Sequence, residues 1–288
     1  MNKHPIVVMT GATNGFGLVA AKELARQGAR LVLMARSVQK GQLTLEHIHA
    51  QYPEASVEIV EADMASLKSV RSFAAKVKAS YPEIDVLINN AGVTIEGKTS
   101  VDGFDLGFAT NYLGAVVLTL DLIESLQAAT KGRIIETCSI GERLGNLSLD
   151  ELASTSSYPA SKRALLMFTF VLARRLAGAE LAALAFHPGI CPPEIPGKPS
   201  LASRLLYATI ATHTDVVGKS LADLAINPRF VGLNGAYLTT GGRKAHGSRA
   251  SQNLEMQEKL WFETAKLLNK HDIHPPPVNK LIQKQLLA

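Results

Sequence analysis

The chain has 288 residues, 47% of them hydrophobic and 19% charged, with a formal net charge of +5. That length and apolar content suit one large buried core and exclude a disordered chain or a small disulfide-stapled module. The positive balance is mild and no basic cluster is interleaved with aromatics, so nucleic acid is not an expected partner.

The run Pro5-Ile6-Val7-Val8-Met9 is apolar and rich in β-branched residues, which predicts a buried strand. It passes directly into Thr10-Gly11-Ala12-Thr13-Asn14-Gly15-Phe16-Gly17, after which Leu18 to Gln27 carries the apolar period of a helix. Strand, glycine-rich turn and helix in that order are the setting of a dinucleotide-binding turn. Glycines let the backbone approach a pyrophosphate, whose charge the helix N-terminus stabilises. Because Met1 to Pro5 leads straight into the strand, no secretory leader is expected. No apolar run comes near the length of a membrane span, and a soluble, cytoplasmic protein is the expectation.

Arg30-Leu31-Val32-Leu33-Met34-Ala35-Arg36 predicts the second strand. NAD enzymes commonly place an acid at the end of this strand to hold the ribose hydroxyls. Ala35 stands there instead and Arg36 follows, a guanidinium suited to a 2′-phosphate. A charge-assisted contact of about 1.5–3 kcal/mol favours NADP roughly ten- to a hundredfold. Val57 to Val60 and Val86 to Ile88 read as further strands, the first followed by Asp63-Met64 and the second by Asn89-Asn90-Ala91-Gly92. A long helix around Tyr112 to Ala129 then leads to a strand at Arg133 to Cys138. The alternation predicts an α/β single-domain Rossmann fold, a doubly wound parallel sheet with helices on both faces. Cys138 and Cys191, the only cysteines, make neither a disulfide framework nor a metal set, and Cys138 reads as a reduced core thiol.

Ser139 follows that strand, and Tyr158-Pro-Ala-Ser-Lys162 lies downstream. Tyrosine and lysine four residues apart share one helix face. An ammonium beside a phenol favours the phenolate, and such a pair can exchange a proton with an alcohol or carbonyl oxygen. Between Ser139 and Tyr158, Gly141 to Ser157 reads as an inserted loop with a polar, helix-capable middle, expected to border a substrate mouth. Ala182 to Phe186 predicts a strand ending in His187-Pro188-Gly189.

Taken together, these motifs resemble the short-chain dehydrogenase/reductase family over nearly the whole length. The spacing of Gly11, Gly15 and Gly17 matches that family's turn, and Asn111, Ser139, Tyr158 and Lys162 fill its four catalytic positions. The resemblance implies cofactor contacts from Thr10, Gly11, Asn14, Gly15, Phe16, Gly17, Arg36, Asp63, Met64, Asn90, Ala91 and Gly92. Tyr158, Lys162, Pro188, Gly189 and Ile190 complete that set. It implies that Lys162 also bonds the nicotinamide ribose and that Asn111 holds a water for a proton relay. The family's threonine four residues after Pro-Gly is absent from Ile190-Cys191-Pro192-Pro193.

Gly235-Ala236-Tyr237-Leu238 and the helix Leu254 to Leu268 around Trp261 resemble the retinol-dehydrogenase-like branch, which implies a lipophilic alcohol or carbonyl substrate. Trp261 itself reads as a packing anchor. Pro192 to Pro199 and an amphipathic Leu201 to Tyr207 correspond to the family's substrate lid. The expected unit is residues 1–270, with 271–288 as a C-terminal tail able to pack on a partner subunit in a homo-oligomer. The expected activity is NADP(H)-dependent hydride transfer to or from a small-molecule alcohol/carbonyl pair, with no metal. A cofactor-binding regulator and a reductase of a conjugated carbon–carbon double bond are the alternatives.

Overall fold

The structure is a computed structural model that describes residues 4–95, 97–189 and 213–273. Its strands are β1 (Ile6–Thr10), β2 (Arg30–Ala35), β3 (Val57–Glu61), β4 (Val86–Asn89), β5 (Gly132–Thr137), β6 (Leu181–His187) and β7 (Tyr237–Thr239). They form one all-parallel sheet in the order β3-β2-β1-β4-β5-β6-β7. Every residue of β4 and β5 is buried, the pattern required when helices cover both faces.

The helices are α1 (Gly15–Arg26), α2 (Val38–His49), α3 (Leu67–Ser80), α4 (Leu106–Phe108), α5 (Gly114–Ala128), α6 (Tyr158–Arg175), α7 (Thr214–Ile226), α8 (Arg249–Gln252) and α9 (Leu254–Asn269). α1, α2 and α7 cover one face over a core that includes Met9, Leu33, Ile48 and Phe186. α3, α5, α6 and α9 cover the other, around Phe73, Tyr112, Phe168 and Leu260. Ser37, Ser66, Ser157 and Asn253 start four of these helices by accepting a backbone N–H with their side chains. α1 begins three residues earlier than its apolar period predicts, because the last two turn glycines lie inside its first turn.

The stretch Leu106–Ala128 departs from the sequence reading in two ways. It begins well before Tyr112, and a π-helical turn, Ala109–Leu113, separates α4 from α5. It is 23 residues long, and an 18-residue window within it has a mean hydropathy of 1.5, apolar enough to cross a membrane, contrary to the expectation from contiguous apolar runs. Scattered polar residues such as Asp121 and Glu124 interrupt any such run. In the fold 89% of that window is buried, and a helix enclosed on nearly all sides is apolar all round for that reason.

The segment expected as a polar loop is also more ordered. It forms two 3-10 turns, Ile140–Leu144 and Leu152–Ser154, and inserts Leu147, Leu149 and Leu152 into the core. Trp261 stacks on Phe168 at 5.9 Å and carries the Arg175 guanidinium 4.4 Å above its ring, so it packs α9 onto α6. Of the expected tail, His271 to Ile273 lie against the domain, with the His271 ring 4.9 Å from Phe104 and Ile273 buried. The remainder of the tail lies outside the described residues, as does the Pro192 to Tyr207 stretch.

Arg133 enters the sheet at the start of β5 and is buried. Its Nη1 donates to the carbonyls of Leu224 (2.9 Å) and Ala225 (3.0 Å) at the C-terminal end of α7, where a cation also meets the negative end of the helix dipole. Arg133→Leu strips both carbonyls of their donor. The expected loss is about 2 kcal/mol of unfolding free energy, to be measured by urea titration followed through Trp261 fluorescence. A loss within error would show that water replaces the guanidinium.

Candidate functional site

The sheet order reverses between β1 and β4, and ligands of open α/β sheets bind outside the strand C-termini at that point. Thr10, Arg36, Asp63, Asn90, Thr137 and Pro188 all stand at or just past such ends. Thr10 Oγ1 accepts the backbone N–H groups of Asn90 and Ala91, both at 3.0 Å. Asn90 Nδ2 donates to the Gly11 carbonyl at 2.9 Å, and its Oδ1 accepts from Thr137 Oγ1 at 3.1 Å. Thr10, Gly11, Asn90 and Ala91 therefore form one hydrogen-bonded seam joining β1, β4 and β5.

Two glycines are indispensable to this approach. Gly11 has φ of +66° and a Cβ there would lie 2.7 Å from Ala91 N; a Cβ on Gly17 would lie 1.9 Å from the Gly11 carbonyl oxygen. Asn14, Gly15 and Phe16 complete the turn that opens α1. Arg36 is exposed just after β2, with no side-chain hydrogen bond or ion pair among the described residues. Asp63 turns back on its own loop, Oδ1 accepting from Ala65 N at 3.0 Å. Met64 is buried and packs beneath Gly114. Past β6, the Pro188 carbonyl accepts from Thr240 Oγ1 at 2.9 Å, and Gly189 N–H donates to His187 Nδ1 at 3.4 Å. Burial, and secondarily Arg143, lower the His187 pKa and favour the neutral ring. Ile190 and the residues that replace the family's threonine lie outside the described residues.

The four catalytic candidates come from three separate elements. Tyr158 is the first residue of α6, with Ser157 as its cap. Lys162, one turn on, is buried, and its Nζ lies 5.9 Å from the Tyr158 ring centre while donating to the Thr137 carbonyl at 2.7 Å. Ser139 opens the first 3-10 turn, Oγ accepting from Gly141 N at 3.1 Å. A Cβ on Gly141 would sit 3.3 Å from Ser139 Oγ and 3.8 Å from Tyr158 Cε1, so the hydroxyl and the ring border one small space. On the other side, the Cβ position of Gly92 is 3.4 Å from Lys162 Nζ and 3.5 Å from Asn111 Oδ1. Asn111 sits in the π turn, a local widening frequent at functional sites. It is clamped to Val93 through its carbonyl (2.9 Å) and N–H (2.8 Å), and Nδ2 also donates to Ser161 Oγ at 3.1 Å.

Supporting residues escaped the sequence. The carbonyl of Thr137 could belong to any residue type, and nothing in the sequence marks it. Glu142 did carry a signal, because Ser139-x-x-Glu142 has capping-box spacing. The structure uses that carboxylate otherwise: buried, it accepts from Ser248 N (2.7 Å) and Ser248 Oγ (2.8 Å) and faces Arg163 Nε at 3.8 Å. The segment after Ser139 is thus fastened to the start of α8. Cys138 is buried with its thiol pKa pushed up by burial, which leaves it unreactive.

Fold and site together define an α/β oxidoreductase with a nicotinamide-cofactor crevice. A family model for short chain dehydrogenases matches residues 5–199, and the chain belongs to this family. Retinol dehydrogenase 12 of Mus musculus is 34% identical over 273 residues, 91% of this chain and 86% of that protein. A solved structure of an uncharacterised protein from Mycobacterium paratuberculosis is 30% identical with a TM-score of 0.74, covering 94% of this chain and 95% of its own. A blue fluorescent protein from a metagenomic library, solved in complex with NADPH, is 25% identical with a TM-score of 0.67, over 83% of this chain and 96% of its own.

Glu142→Ala leaves Arg163 facing no carboxylate and the Ser248 backbone N–H without its acceptor, while the Ser248 hydroxyl keeps Ser251 Oγ. The expected cost is about 3 kcal/mol, read from chemical denaturation. Asp150→Ala, which breaks the exposed ion pair with Lys259, should leave stability unchanged within error. Equal effects from the two variants would remove the case for a clamp.

Proposed function

We propose that the chain is an NADP(H)-dependent oxidoreductase acting on a lipophilic alcohol/carbonyl pair. The observation that carries this reading is the convergence of Ser139 Oγ and the Tyr158 ring on one space, with Lys162 Nζ fixed behind them. The residues present fit the cofactor: Gly11 and Gly17 keep the turn free of side chains, α1 points its N-terminus at the crevice, and Arg36 stands exposed at the end of β2. When bound, the nicotinamide gives hydride to the substrate carbon or takes it away.

The remaining chemistry belongs to this chain's side chains. The Tyr158 hydroxyl passes a proton to the substrate oxygen in reduction and accepts it in oxidation. Ser139 Oγ donates a hydrogen bond to the same oxygen as charge develops on it. Lys162 keeps a positive charge beside the phenol and is held there by the Thr137 carbonyl, which it cannot leave without breaking a buried hydrogen bond. Asn111 spends its Nδ2 on Val93 and Ser161, while Oδ1 accepts one bond from Val93 N and keeps a lone pair on the Gly92 side, where it can hold a water of the proton relay. Ile140 (52% exposed) and Leu144 (82%) present apolar surface on the turn that carries Ser139, which supports a lipophilic substrate; the name of the retinol dehydrogenase relative supports it independently.

NADPH consumption with a panel of lipophilic aldehydes and ketones, retinaldehyde among them, tests the reading. Tyr158→Phe should lower kcat by at least about a hundredfold with NADPH affinity nearly unchanged; comparable turnover in the variant would sink the assignment. Arg36→Ala should weaken NADPH binding about ten- to a hundredfold and leave NADH binding alone. A parallel loss for both cofactors would place Arg36 against the adenine and not against the 2′-phosphate.

A further inference from the structure

Beneath the catalytic lysine lies a fully buried carboxyl to which the mechanism above assigns no task. Glu136 sits in the middle of the sheet, on the β5 face covered by α5 and α6, with no solvent exposure. Its Oε1 accepts from Asn89 Nδ2 at 2.8 Å and from Thr119 Oγ1 at 3.2 Å. Asn89 Nδ2 also donates to Thr119 Oγ1 at 2.8 Å. Two acceptors in the cluster, Glu136 Oε2 and Asn89 Oδ1, are buried without a partner. A buried cluster with two orphaned acceptors lacks a donor, and the smallest ligand that supplies one is a proton on the carboxyl. The next residue along the strand is Thr137, whose carbonyl holds Lys162 Nζ.

We propose that Glu136 is a positioning residue that holds a proton in the resting enzyme, and that its ionisation alters the charge felt by the Lys162–Tyr158 pair. This rests on the catalytic reading of Lys162 and Tyr158 given above. The titratable groups facing Glu136 are Lys162 from α6 and the Cys138 thiol just past the end of β5. α5 presents Thr119, β4 presents Asn89, and the β6 neighbour in register is Ala185. Burial raises the Glu136 pKa to about 7; Asn89, Thr119 and Lys162 pull it partway back. An acid raised in this way adds stability below its ordinary value of 4.5 and loses it as pH rises through about 7.

Carbon-13 NMR of protein labelled at the glutamate carboxyls tests the proposal without requiring a substrate. One resonance, absent from Glu136→Gln, should titrate near pH 7, and in Lys162→Met its midpoint should rise by about half a unit or more, since the ammonium that favoured ionisation is gone. Should Glu136→Gln not fold, Glu136→Asp identifies the same resonance. The melting temperature of the natural protein relative to Glu136→Gln should fall as pH rises from 4.5 through about 7. With an active substrate, the pH profile of kcat should lose an inflection near pH 7 in Glu136→Gln. A Glu136 resonance in the ordinary carboxylate range, or one indifferent to Lys162→Met, would overturn the proposal. Absence of turnover on every carbonyl would defeat the proposed function and leave this titration to be judged by itself.

Discussion

Everything at the crevice depends on how closely the first turn passes the end of β4. Thr10 offers one oxygen to two backbone N–H groups, Asn90 bridges the Gly11 carbonyl and the Thr137 hydroxyl, and there is no room for a side chain on Gly11 or Gly17. The seam holds three strand ends at fixed heights. One of those ends is Thr137, and its carbonyl holds the Lys162 ammonium 5.9 Å from the Tyr158 ring centre. A glycine constraint near the start of the chain is thereby transmitted to a lysine some 150 residues later through three hydrogen bonds.

The catalytic candidates differ in how they are supported. Tyr158 and Lys162 ride on the first turn of a long, capped helix, where sites are held more rigidly than on loops. Ser139 stands on a short 3-10 turn that has little stability of its own and relies on Glu142, Arg163 and Ser248. Asn111 occupies a π turn whose extra residue lets both ends of its amide meet Val93. A tyrosine and a lysine on a rigid helix are therefore set against a hydroxyl and an amide, each fastened by contacts distant in sequence.

The sheet, its order of elements and the placing of candidate residues at strand ends were legible because β-branched runs and glycine turns are local signals. What was not legible arises from contacts that no local pattern encodes. The sequence shows that Glu142 lies three residues after Ser139, but its partner Ser248 is reached only through the tertiary fold. The leucines between Ser139 and Tyr158 are spaced irregularly, so a stretch that packs into the core reads as a polar loop. The Leu106–Ala128 helix reads as shorter because its apolar residues are interrupted by polar ones that the core accommodates. Glu136 reads as an ordinary strand residue until its neighbours Asn89 and Thr119 are seen to be buried with it.

The partners of two buried charges bear on the order in which the chain can be completed. Arg133 waits for carbonyls 91 and 92 residues further on, and Glu142 for a serine 106 residues further on. As the chain leaves the ribosome, the first four strands can pair early, since their contacts lie within the first 90 residues. The Glu142 carboxylate has Arg163 close behind it in sequence, but the two hydrogen bonds that fasten it wait for Ser248. A nascent chain halted before Leu224 keeps the Arg133 guanidinium without its acceptors, and one halted before Ser248 keeps the Glu142 carboxylate without its serine donors, each an unfavourable intermediate open to chaperones and proteases. The segment after Ser139 thus reaches its fastened form only once Ser248 has been made.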